Sequence, residues 1–77
     1  MKALKGLHEN AAEHCEMAAK HHRAAAESVD EGDNDRAAQH ALVADGHTIH
    51  GHEYAAQASK KHIELHEEDE DTEAEEE

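Results

Sequence analysis

Two rows of small and aliphatic residues recur every seven positions along this chain. They are Leu4, Ala11, Ala18 and Ala25, followed by Ala37, Ala44, Gly51, Ala58 and Leu65. A seven-residue step returns to nearly the same face of an α-helix, so the pattern predicts two helices, at about residues 2–30 and 34–67. Between them, Gly32 suits the left-handed position after a helix end, and Asp33 can cap the second helix. The predicted fold is an all-α antiparallel helical hairpin.

The weakest part of the second predicted helix is the segment 45–51. It contains Gly46 and Gly51, and a glycine costs about 1 kcal/mol in a helix interior. A break there would give three helices. The seven-residue row nevertheless keeps its phase through Gly51, which an intervening loop would disturb. We therefore expect one continuous second helix.

Histidines fall on the faces of the two helices that are expected to meet. In a hairpin turning near Gly32, residues whose numbers sum to 65 lie opposite each other. The resulting pairs are His14 with Gly51, Ala18 with His47, His21 with Ala44, and Ala25 with His40. Each pair sets a large residue against a small one, as close helix packing requires. The sequence therefore predicts a histidine-containing seam between the helices.

A second apolar row on the second helix predicts self-association. Leu42, Ile49, Ala56 and Ile63 also repeat every seven residues, about 150° around the helix from the first row. Leaving this row in water would expose an unusual apolar strip. The chain has 77 residues, no Phe or Trp, and too few aliphatic residues for a large core of its own. We expect a homodimer that forms an antiparallel four-helix bundle.

Charge separates the chain into two parts. Nine of the eleven residues from Glu67 to Glu77 are acidic, within a net charge of −13. We therefore divide the chain into a helical hairpin over residues 1–66 and a disordered acidic tail over 67–77. The hairpin carries eleven acidic and seven basic residues, which argues against a nucleic-acid or anionic-membrane partner.

The expected compartment is the cytoplasm. The chain starts without the hydrophobic segment of a secretory signal, and its longest apolar run covers only residues 41–44. Cys15 is the single cysteine, which excludes an internal disulfide and fits a reducing environment. We expect this thiol to be a small buried apolar group.

The ten histidines suggest metal chemistry. Neutral imidazole is a common ligand for zinc, nickel and copper ions. His62 and His66 are four residues apart on one helix face, His47 and His50 are three apart, and His14 and His21 come from the opposite helix beside His47. The candidate metal ligands are His14, His21, His47, His50, His62 and His66. The alternative is that the seam histidines only fill space and that His62 and His66 are a solvated helix end. Apart from metal binding, His8, His22, His50 and His52 are interpreted as surface or dimer-face residues.

No enzymatic activity is expected, because the serines and threonines carry no nucleophile motif and no glycine-rich loop follows a strand. The function that we expect is binding or buffering of a divalent transition metal, with a zinc, nickel or copper ion as the only cofactor. The alternative is a metal-free structural or protein-interaction module. Packed imidazoles would make it acid-sensitive between about pH 6.5 and 4.5.

The segments His21-His22-Arg23-Ala24-Ala25-Ala26, Ala37-Ala38-Gln39-His40-Ala41 and Asp45-Gly46-His47 resemble a group of small Ala- and His-rich bacterial proteins of uncharacterised function. The resemblance covers roughly residues 7–66. It implies a helical hairpin of bacterial origin and no activity.

Overall fold

The computed structural model describes residues 2–67 with their side chains, and the helix backbone as far as residue 76. The chain forms two α-helices, α1 (Lys2–Asp30) and α2 (Asn34–Glu76), packed as a hairpin. The predicted all-α hairpin is confirmed. Because α2 runs through Gly46 and Gly51 without interruption, the three-helix alternative is wrong. The predicted disordered tail, 67–77, lies almost wholly beyond the residues described with side chains and stays a prediction.

The turn between the helices is built as the sequence predicts. Gly32 has a φ of 82°, the left-handed conformation that glycine adopts without strain. The Gly32 amide donates to the Val29 carbonyl at 3.0 Å, and the Asp33 amide donates to the Ser28 carbonyl at 2.8 Å. These two bonds close α1 in a Schellman motif. Asp33 then caps α2, its Oδ1 accepting the Arg36 amide at 3.0 Å.

Small residues form the contact between the helices. The buried apolar side chains are Leu4, Ala18, Ala37, Ala44 and Ala58, and Ala44 is 0 % exposed. All five belong to the two seven-residue rows, so the predicted seam is confirmed. A Cβ placed on Gly51 would lie 3.5 Å from the Cβ of His14, which confirms that these two positions face each other. Within residues 2–67, no fully buried side chain is large.

Several of the larger aliphatic side chains lie outside the seam. Leu42 is 72 % exposed, Ile49 61 % and Ile63 57 %. Cys15 is also exposed, so the expectation of a buried thiol is wrong. The adjacent His14 faces the seam, and a step of one residue turns the next side chain about 100° away. In the part of the chain described with side chains, no helix is long and apolar enough to span a lipid bilayer.

Candidate functional site

Three histidine pairs join α1 to α2 through direct contacts between ring nitrogens. His14 Nδ1 lies 2.9 Å from His47 Nδ1, and both rings are partly buried. His21 Nδ1 lies 3.1 Å from His40 Nδ1 in the same environment. His8 Nε2 lies 3.0 Å from His62 Nε2 in an exposed position. Each pair therefore brings two nitrogens from different helices within hydrogen-bonding distance of each other.

The two partly buried pairs merge into a continuous column of rings. The rings of His21 and His47 stack with centroids 5.9 Å apart and an interplanar angle of 11°. This stack connects the His21–His40 pair to the His14–His47 pair. At the other end, Tyr54 stacks on His14 at 5.7 Å. We call this set the histidine column: His40, His21, His47, His14 and Tyr54.

The small residues of the seam make the column possible. An imidazole that faces alanine or glycine meets no bulky side chain directly opposite, so its ring extends along the groove to the histidine one helical turn away. Gly51 shows this geometry, because His14 passes beside it and bonds His47 four residues earlier in α2. Because large and small residues alternate across the seam, each of these histidine rings contacts a histidine of the neighbouring turn, further along the groove.

A bond between two imidazoles depends on their protonation. One ring nitrogen must carry a proton and the other must offer its lone pair. When both rings are protonated, neither nitrogen facing the other can accept, and two positive charges lie about 3 Å apart. Each pair therefore keeps its hydrogen bond only while at least one of the two facing nitrogens is unprotonated.

The column affects the titration of His21. Desolvation lowers the pKa of His21 below the ordinary value of 6.5, and the neighbouring His40, His47 and Lys20 lower it further by charge repulsion. The folded state thus favours the neutral ring, and the unfolded chain binds the proton more readily. The resulting contribution to stability is present above pH 6.5 and is lost as the pH falls through the pKa of the folded state.

A third imidazole and a carboxylate lie at the edge of the His14–His47 pair. The His50 ring is 5.3 Å from the His14 ring between centroids. His50 Nδ1 also lies 3.3 Å from Glu53 Oε1, on an open part of α2. Among residues 2–67, no three His, Cys, Asp or Glu side chains are already arranged to hold one metal ion. The geometry present is therefore that of two-nitrogen sites with further donors close by.

The structure brings four of the six candidate ligands together. His14, His21 and His47 form the column, and His50 lies beside it. His62 turns towards His8 on α1, and His66 is exposed one helical turn further along α2. His8 and His40 are missing from the predicted ligand set although both belong to a pair. His40 already lay on the predicted seam, and that position could have identified it.

Comparisons of this chain with protein-family models, with curated proteins and with solved structures give no match in any of the three.

Proposed function

We propose that this hairpin is a non-enzymatic protein that binds a divalent transition-metal ion through its cross-helix histidine pairs. The observation that carries the proposal is the set of three nitrogen–nitrogen distances of 2.9, 3.0 and 3.1 Å. Two neutral imidazoles at this separation can bind the same ion after small ring rotations. Buffering of such an ion is the role that this arrangement supports best.

The distances favour copper or nickel over zinc. With metal–nitrogen bonds of about 2.0–2.1 Å, a nitrogen separation of about 3 Å gives a nitrogen–metal–nitrogen angle of roughly 90–100°. This is close to the angle between neighbouring ligands in square-planar Cu²⁺ or Ni²⁺ sites, whereas tetrahedral zinc needs a wider angle. Cu²⁺ also binds most tightly of the divalent first-row ions at nitrogen sites. We therefore expect the affinities to fall from Cu²⁺ through Ni²⁺ to Zn²⁺.

Metal binding at the seam requires a change of tautomer and no net loss of a proton near neutral pH. In the metal-free pair, one ring donates a proton from Nδ1 to the other. A metal needs both lone pairs, so the donor ring moves its proton from Nδ1 to Nε2. In acid, protons compete with the ion for the imidazole nitrogens, and binding weakens.

The His14–His47 pair is the best candidate for the tightest site. It is partly buried, and His50 and Glu53 lie at its open side. Rotation of the exposed His50 side chain would supply a third nitrogen, and water would complete the coordination. The His8–His62 pair is exposed.

Isothermal titration of the untagged chain with Cu²⁺, Ni²⁺ and Zn²⁺ tests the proposal. His47→Ala and His62→Ala each remove one member of a pair, and His22→Ala is the matched control at an exposed histidine outside the column. We expect His47→Ala to weaken the tightest site at least about tenfold, or about 1.4 kcal/mol, and His22→Ala to leave it unchanged. Circular dichroism of each variant checks that the hairpin remains helical.

Two outcomes would overturn the proposal. One is that none of the three ions binds more tightly than about 100 µM, which corresponds to about 5.5 kcal/mol. The other is that His47→Ala and His62→Ala bind every ion as the His22→Ala control does.

A second candidate function is a metal-free structural or interaction module. The observation in its favour is that each histidine pair already satisfies itself by hydrogen bonding. Among the residues described with side chains, no buried polar side-chain atom lacks a partner. The same titration distinguishes the two functions, because failure of all three metal ions to bind supports the metal-free module.

A further inference from the structure

The face of α2 that points away from α1 is apolar and uncovered. We call it the outer stripe and define it as Leu42, Ile49, Ala56 and Ile63. All four residues are exposed, and the three large ones are more than half exposed. Leu42, Ile49 and Ala56 each lie two residues before a buried seam residue, and Ile63 lies two residues before the half-buried Leu65. The stripe is therefore about 160° around the helix from the seam.

The matching face of α1 has the opposite character. The positions two residues before its seam residues Ala11, Ala18 and Ala25 are Glu9, Glu16 and Arg23, and all three are exposed. Such a charged face is suited to water. The apolar face is thus restricted to one helix, although both helices follow the same repeat. An ordinary solvated helix surface does not account for this asymmetry.

We propose that the outer stripe binds the outer stripe of a second copy of this chain, with the two α2 helices antiparallel. Three of the four stripe residues are symmetric about Ala56, because Ile49 and Ile63 lie seven residues to either side of it, and Leu42 lies beyond this symmetric set. A two-fold axis through Ala56 places Ile49 against Ile63 of the second copy and the two Ala56 residues against each other. Small residues at the centre let the helix backbones approach closely, and one self-complementary patch closes the dimer.

Charge complementarity supports this occupant and this register. The row beside the stripe contains Glu53 and Lys60, both exposed. In the symmetric pairing, two residues that face each other have numbers that sum to 112. The numbers of Glu53 and of Lys60 of the second copy sum to 113. Opposite charges therefore face each other within one residue of the ideal level, twice per dimer. Parallel pairing about a two-fold axis along the helices would instead put Glu53 and Lys60 of the second copy on opposite flanks of the interface, seven residues apart in level.

The resulting dimer differs from a square four-helix bundle. In such a bundle each helix has its two neighbours about 90° apart, whereas the seam and the outer stripe of α2 are nearly opposite. The two hairpins therefore stand back to back, with the α2 helices inside and the α1 helices outside. The histidine columns remain accessible from the open flanks of each hairpin.

Sedimentation equilibrium of the full chain in the presence of a metal chelator tests the proposal independently of metal binding. We expect a dimer of the 8.5 kDa chain. Ile49→Glu buries a charge twice per dimer, and we expect it to raise the dimer dissociation constant at least about 100-fold. Val29→Glu is the matched control, because Val29 is 58 % exposed on α1, away from the stripe. Circular dichroism monitors helix content in both variants.

A charge exchange provides a test without loss of an apolar side chain. Glu53→Lys alone brings like charges together and should weaken the dimer, and adding Lys60→Glu should restore it. The proposal is overturned if the wild-type chain is a folded monomer at about 100 µM, a concentration typical of weak association. It is also overturned if Ile49→Glu dissociates no more readily than Val29→Glu, or if the double exchange fails to recover the dimer.

Discussion

The two glycines inside α2 offer a direct test of the histidine seam. A Cβ added to Gly46 would have no neighbour within 4 Å, whereas one added to Gly51 would lie 3.5 Å from the Cβ of His14 and 3.6 Å from Sγ of Cys15. Alanine fits at both positions, since these are ordinary contact distances. Each Gly→Ala change should therefore stabilise the helix by about 1 kcal/mol.

Leucine separates the two positions. At Gly46 it has open space and should retain most of the gain in helix propensity. At Gly51 the atoms beyond Cβ must displace His14, and overpacking of this kind costs about 1–3 kcal/mol. We therefore expect Gly51→Leu to be less stable than Gly46→Leu by about that amount. For a chain of this size, 1 kcal/mol corresponds to about 4–8 °C in the melting temperature.

Thermal unfolding followed by far-UV circular dichroism measures this difference. All variants must be compared at one protein concentration, because self-association makes the melting temperature concentration-dependent. A melting temperature for Gly51→Leu equal to or above that for Gly46→Leu would refute the packing of His14 against Gly51. Displacement of His14 should also weaken metal binding in Gly51→Leu and leave it unchanged in Gly46→Leu.

Two further perturbations test other parts of the fold. Because the pKa of His21 is lowered from 6.5, unfolding by urea should become easier as the pH falls below that value; a midpoint that stays constant or rises on acidification contradicts the column. Gly32→Ala forces a side chain into a φ of 82° and should destabilise the hairpin by about 1–2 kcal/mol. Its control is Gly6→Ala within α1, where an added Cβ has nothing within 4 Å; equal melting temperatures for the two variants would argue against a strained turn.

The elements and the turn were predictable because local chemistry determines them. Gly32 and Asp33 act on their own neighbours within a few residues, so their roles follow from the sequence and are confirmed. The seven-residue rows likewise determine which face of each helix is buried. The second helix continues through both glycines, as the unbroken phase of its seven-residue row predicts.

The ring contacts were harder to predict because they depend on the reach of side chains. Opposed positions set histidine against alanine or glycine, yet the ring nitrogens of His14 and His47 meet from neighbouring layers. The pairing of opposed positions along the seam already identified a contact between His14 and His47 as plausible. It missed His8, whose partner His62 lies five positions beyond residue 57, the position that the summed numbering sets opposite His8. Cys15 was placed wrongly because its Sγ reaches only the edge of the seam beside Gly51, and the residue remains exposed.

The two histidines of each seam pair should be easier to replace together than one at a time. His14 depends on His47, and His21 on His40, for a hydrogen-bonding partner in a groove otherwise lined by methyl groups. Replacing one histidine of a pair by an apolar residue leaves the ring nitrogen of the other without a hydrogen-bond partner. Replacing both leaves no polar nitrogen that needs one. Natural variants of this hairpin should therefore gain or lose such residues two at a time, one on each helix.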